Sequence, residues 1–131
     1  MTLTLQVLDG DYTIHRFSPD TALPAEVWES NFLSITKTEE ELSVVCDASV
    51  LLQSPVREEG WSCIKVLGPL DFSLTGILAK LSGVLAEAEI SIFALSTYDT
   101  DYLLIKSSRL REALGVLAKA GYLIEQAEFH G

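Results

Sequence analysis

Long apolar runs are missing from this chain of 131 residues. A membrane-spanning helix needs roughly 20 such residues, and Asp9 and Asp11 break the apolar N-terminal stretch early. That start also has neither the basic n-region nor the small-residue cleavage site of a secretory signal, so a cytoplasmic protein is expected. Basic residues are scarce: nine Lys and Arg stand against nineteen Asp and Glu, a net charge of −10. A field of that sign repels phosphate backbones and anionic lipid surfaces, so no nucleic acid and no membrane is expected as a partner. The acidic runs Glu39 to Glu41 and Glu58 to Glu59 read as solvated charge in polar connections. There are only two cysteines, Cys46 and Cys63, in strand-like sequence and outside any CxxC or Cys/His pattern; they read as buried reduced thiols.

Histidine is equally rare. His15 reads as a surface strand position beside Arg16, and His130 as a solvated residue next to the last. No nucleophile stands with a base, no His/Cys/Asp cluster has metal spacing, and no phosphate loop is present. Residues 68–76 join a strand to a helix but lack both GxGxxG and a GKS/T ending. Asp99 and Asp101 read as turn acids rather than an acid/base pair. The expectation is a non-enzyme with no catalytic residue, no metal and no cofactor.

What the chain does have is patterned hydrophobicity, at 48% of its residues, enough for one ordinary domain or two very small ones. Trp61 to Leu67 alternates as a strand, with Ile64 and Val66 on one face and Cys63 and Lys65 on the other. Gly68-Pro69 stops it. From Ser73 to Ala88 the positions Ile77, Leu78, Leu81, Val84, Leu85 and Ala88 recur at helical spacing, with Asp71 or Ser73 as the N-cap and Glu89 at the end. Ile90 to Thr97 and Tyr102 to Lys106 are strands around an Asp-rich turn. Ser107 or Ser108 then caps a second helix carrying Leu110, Ala113, Leu114 and Leu117, Gly121 closes it, and Tyr122 to Phe129 is a last strand. The order β-α-β-β-α-β is that of the α+β ferredoxin-like sandwich, with two helices on one sheet face. The opposite face is too apolar to stand open and calls for a second layer or a partner chain.

The N-terminal half has strands but little helix. Leu3 to Leu8, Asp9-Gly10 and Asp11 to Phe17 read as a tight hairpin. Ser18 to Ser30 leaves room for one short helical piece. Asn31 to Thr36 and Glu41 to Asp47 read as two further strands, and Gln53 to Gly60 as a linker. The domain expectation is a trimmed unit over 1–58 and a full one over 59–131.

One place offers chemistry. The loop before the first helix ends at a helix N-terminus, whose free backbone amides and dipole favour a carboxylate. Gly68 and Gly76 permit close approach, and Asp101 would supply the opposite charge for an amino or guanidinium group. The plainer reading is that Gly68-Pro69 ends a strand, Asp71 or Ser73 caps a helix, and Asp101 caps a turn.

The stretch GPLDFSLTGILAKLSGVLAEAEISIFALSTYDTDYLLIK, Gly68 to Lys106, resembles the small ACT-domain proteins related to the cytosolic arginine sensors and, more distantly, the regulatory ACT domains of aspartate kinases. Leu3 to Phe17 and Phe32 to Asp47 agree with a second, N-terminal ACT-like unit. The resemblance implies tandem ACT-type βαββαβ units and non-catalytic binding of a small molecule, usually an amino acid, at interfaces between units. Those sensors carry four ACT units in one chain; two here imply a homodimer. It also implies that Phe72, Gly76 and Ile77 contribute from the loop and that Asp101 is the acid following the second strand. Together with the loop residues Gly68, Asp71 and Ser73 these make the expected ligand site. Two departures bear on the ligand. Asp71 stands where the sensors have glycine, and Leu74 where they have an acid, which leaves a smaller or more apolar amino acid as open as arginine. The alternative is an ACT-fold dimerisation and interaction module that has lost its ligand.

Overall fold

The computed structural model describes residues 3–67 and 76–126. Contacts divide the chain into two units, one of Met1–Asp9 with Ser62–Gly131 and one of Gly10–Trp61. The expected single cut at 58/59 and this division differ in one main respect. The first strand groups with the C-terminal unit, so the smaller unit is nested inside the larger one in sequence.

In the larger unit the described elements are β1 (Thr4–Val7), the second half of β5 (Val56–Val66), α1 (Ile77–Glu87), β6 (Phe93–Ser96), β7 (Asp101–Lys106), α2 (Leu110–Lys119) and β8 (Leu123–Gln126). A 3-10 turn, Ser107–Arg109, leads into α2. Strand β7 lies between β5 and β6, as the split βαβ pattern requires. The addition is β1, which separates the first and last strands of that pattern. It runs antiparallel to β5, with Leu5 opposite Val66 and Val7 opposite Ile64, and parallel to β8, with Leu5 opposite Ile124.

The helical periodicity accounts for the core. Leu81, Leu85, Ala113 and Leu117 are fully buried against Leu5, Ile64, Val66, Leu103 and Ile105 of the sheet, and Ile77, Leu78, Val84, Ala88, Leu110 and Leu114 pack around them. Each buried leucine there contributes about 1.5–3 kcal/mol over its exposed state. On the opposite sheet face Cys63 and Leu104 are themselves fully buried. Burial pushes the Cys63 thiol up to about 12, so it stays protonated.

Both helices end in the same way. In α1 the Ile90 N–H donates to Leu85 O (3.0 Å) and Glu89 N–H to Ala86 O (2.9 Å), with Glu89 in the left-handed region at φ 60. In α2 Tyr122 N–H donates to Leu117 O (3.1 Å) and Gly121 N–H to Ala118 O (3.0 Å), with Gly121 at φ 106. These are Schellman closures, and glycine is the residue that fits the left-handed position without strain. Arg109 ties the two helix ends together. Its guanidinium donates to the carbonyls of Ala88 and Glu89 and to the Glu112 carboxylate.

The smaller unit contains β2 (Tyr12–Phe17), a 3-10 turn (Ala25–Glu29), β3 (Ser34–Lys37), β4 (Leu42–Asp47) and the first half of β5. Its strand order is β3-β4-β2-β5, with each neighbouring pair antiparallel. Numbered within the unit this is 2-3-1-4, the order of a ferredoxin-like sheet. The 3-10 turn stands where the first helix would be, and residues 51–55 where the second would be. Phe17, Val27, Leu42, Val44, Cys46 and Leu52 form its core.

Four readings need correction. The Asp9-Gly10 turn does not join a hairpin: β1 pairs with β5 and β8, and β2 with β4 and β5, so Gly10, at φ 83, passes the chain from one pairing to another. Residues 56–60 are strand rather than linker. Arg57, Glu58 and Glu59 are all exposed, which hides the alternation that marks a half-buried strand. Gly60, at φ 80, sits where the register with β2 slips, Trp61 facing Tyr12 and Glu58 facing Ile14. His15 is buried, 3% exposed, not on the surface. Finally, the N-cap position of α2 falls on Arg109, which makes no side-chain cap bond, rather than on a serine, and Ser107 Oγ lies 2.8 Å from Ser62 Oγ.

Candidate functional site

The expected ligand loop falls largely outside the described residues: Gly68, Asp71, Phe72 and Ser73 all lie there, and so does the capping reading for Asp71 and Ser73. Its two anchorages are described. At the leading end, Leu67 N–H donates to Thr4 O at 3.0 Å on one side of β5. On the other, the Thr100 hydroxyl donates to Val66 O at 2.6 Å, with Thr100 only 4% exposed. Strand β5 is thus fastened from both flanks at the point where the loop leaves it.

At the trailing end the chain enters α1 through Gly76, at φ 78 and ψ 6, with Lys80 N–H donating to Gly76 O at 2.9 Å. Glycine has no side-chain oxygen, so the N-cap position itself supplies nothing to the first-turn amides. Ile77 turns inward onto the helix–sheet core. The helix begins at Ile77, four residues later than the periodicity suggests, with residues 73–75 outside the described part.

Asp101 is the first residue of β7. It follows directly on Thr100, so the buried Thr100–Val66 bond brings the start of β7 beside the end of β5, from which the loop departs. Its carboxylate has a partner: Ser96 Oγ, opposite it on β6, donates to Asp101 Oδ1 at 2.5 Å. The turn between them is closed by threonines. Thr97 N–H donates to Thr100 O at 2.8 Å and Thr100 N–H to Thr97 Oγ1 at 3.3 Å. Asp101 therefore does not cap the turn; it bonds across the strand pair.

Two residues of this arrangement, Thr100 and Ser96, were not among the candidates. Thr100 could have been found from the hydroxyl–acid alternation of Thr97-Tyr98-Asp99-Thr100-Asp101, and Ser96 from the hairpin register that sets it against Asp101. On the far face of β7, Tyr102 has its phenol pushed up by burial and by the neighbouring Cys63 and Asp99. Among the described residues no three His, Cys, Asp or Glu side chains converge as a metal site, and no helix is long and apolar enough to cross a membrane.

Comparison with known proteins agrees with this architecture. A family model described as an ACT domain matches residues 56–119, and a second, described as an N-terminal domain, matches residues 10–51. The chain is 31% identical over 122 residues to "Cytosolic arginine sensor for mTORC1 subunit 1" of Pongo abelii, a match covering 86% of this chain and 37% of that protein. It therefore spans well under half the length of the sensor. A crystal structure of an Agobacterium tumefaciens protein superimposes with a TM-score of 0.91 at 37% identity, covering 100% of this chain and 98% of that one. The aspartate kinase of Synechocystis matches in fold, with a TM-score of 0.68 at 14% identity over 98% of this chain but only 28% of the enzyme. Strand order, helix placement and the matched residues agree, and the chain belongs to the ACT-domain family.

Proposed function

We propose that this chain is a non-catalytic regulatory protein that binds an amino acid at the loop between β5 and α1. In this reading Gly68, Asp71, Phe72 and Ser73 line the ligand together with Gly76 and Ile77, the first-turn amides of α1 receive its carboxylate, and Asp101 receives its amino group or side-chain cation. A zwitterion needs those two groups held apart and opposite in sign, and a helix N-terminus with an acid provides both. The observation that carries the reading is the buried Thr100–Val66 bond, because it sets the acid-bearing start of β7 beside the point where the loop departs. The similarity to an arginine sensor supports an amino-acid ligand. Two ACT-like units per chain support a homodimer, and the sensor's cytosolic name supports a cytoplasmic location.

A second reading rests on one observation: the Asp101 carboxylate already accepts the Ser96 hydroxyl. If that bond is its whole role, the domain is an interaction module without a ligand. A thermal-shift screen against the twenty amino acids separates the two. The receptor reading expects a selective rise, equivalent to about 2.7 kcal/mol at a hundredfold excess over Kd, abolished in Asp101→Asn and retained in Ser96→Ala. A flat profile from protein freed of any bound ligand by unfolding and refolding favours the module and refutes the receptor.

A further inference from the structure

In the smaller unit a buried titratable side chain lies outside the site above. His15 is 3% exposed, stacks on Phe17 with ring centroids 6.0 Å apart, and faces Val44 across the strand pair. Its Nδ1 lies 2.8 Å from Ser54 Oγ, while its Nε2 is buried with no hydrogen-bond partner. Ser54 belongs to the strap 51–55, which covers the core in place of a second helix. Two further contacts hold that strap. Leu52 is driven into the core at 3% exposure, Arg57 donates to Leu52 O at 3.1 Å, and Leu51 stands 85% exposed.

We propose that His15 is a proton-operated latch, which as neutral imidazole holds the strap 51–55 closed over the core of the smaller unit and as imidazolium releases it. A neutral ring pairs with Ser54 through Nδ1 and leaves one uncharged nitrogen, Nε2, without a partner. Protonation places a charge and a second N–H donor where no acceptor is available, and the charge is hydrated only if the strap lifts. The groups around it reinforce the direction. Arg57 sits directly opposite on β5 and repels an imidazolium; Glu59, on the same strand, attracts it less effectively. On β4 the Cys46 thiol, pushed up to about 11, is uncharged at neutral pH. The 3-10 turn contributes Val27 to the core, with Glu26 and Glu29 exposed, and residues 51–55 carry no charge.

Burial first, and Arg57 second, lower the His15 pKa from its ordinary value. The folded protein then resists proton uptake, so closed-strap stability is complete above the unfolded value of about 6.5 and falls as pH drops through it. Between pH 7.5 and 5.5 the closed-to-open ratio should fall by up to about tenfold for one such group.

The test is hydrogen exchange of the Leu52, Gln53 and Ser54 amides in the whole chain at both pH values, corrected for intrinsic rates, with the two histidines titrated by NMR. Loss of strap protection that follows the His15 titration, while the Leu85 amide in α1 stays protected, is expected. In His15→Gln the pH dependence should vanish. Constant strap protection at both pH values overturns the latch, whether or not His15 titrates. An equal loss in His15→Gln overturns it as well. Should that variant fail to fold, the coincidence of the His15 titration with strap opening in the unaltered protein decides the matter alone.

Discussion

The two units have the same strand order but are covered differently. In the larger, two amphipathic helices bury Leu81, Leu85, Ala113 and Leu117 completely. In the smaller, a five-residue 3-10 turn and the strap 51–55 do the same work with Val27 and Leu52. Helices present an apolar residue every third or fourth position and so supply several anchors per element. A strap supplies one. Sheet topology therefore survives loss of its helices, with fewer anchors in the layer that covers it.

That contrast can be broken deliberately, and urea denaturation followed by circular dichroism measures each case. Leu85→Ala should have the largest effect, about 2–5 kcal/mol, because close-packed helices cannot collapse onto the cavity. Leu52→Ala should fall toward the lower end of that 2–5 kcal/mol range, since an irregular strap can settle inward. Equal losses would mean that the strap is as rigid as a helix. Gly60→Val, at the register slip in β5, should cost about 1–3 kcal/mol from backbone strain alone, since an added Cβ there would meet nothing within 4 Å. A neutral result would show that the bulge can flatten.

The smallest expected effects come from the two helix ends. Glu89→Gly should stabilise by about 0.5–1 kcal/mol, because it relieves a left-handed non-glycine residue. Gly121→Ala should destabilise by about 1 kcal/mol for the converse reason. Opposite signs are the point of the pair; a loss in both would show that the Glu89 side chain has a role that outweighs its backbone strain.

Much of the larger unit was legible because its signals are local. The spacing of Ile77, Leu81, Val84 and Leu85 specifies a buried helix face whatever lies opposite, and Gly121 marks a helix end by itself. The strand pairings were less legible, because a pairing depends on a partner far away in sequence. Asp9-Gly10 carries every local mark of a hairpin, yet β1 sets Leu5 and Val7 against Val66, Ile64 and Ile124 of distant strands. The first half of β5 was hidden by three consecutive charged side chains. His15 was misread because a polar residue in a short strand has no periodicity that tells core from solvent; its side-chain partner Ser54 stands 39 residues later in the chain. For the candidate site, the acid at Asp101 was legible from its motif. The Thr100–Val66 bond was not, since it joins two strands separated by a whole helix.

The place of β1 also bears on how the protein is made. Gln6 and Glu125, bonded to each other on β1 and β8, are 119 residues apart in the chain. At roughly 5–20 residues per second of synthesis, β1 waits about 6–24 s after leaving the ribosome before β8 exists, an interval set by those 119 residues. Throughout that time an apolar strand has both edges unpaired or only one satisfied, and the nested smaller unit is produced inside the interval. Slow translation or fusion of a foreign strand-forming segment upstream should therefore lower the soluble yield more than any change to the helices' exposed faces.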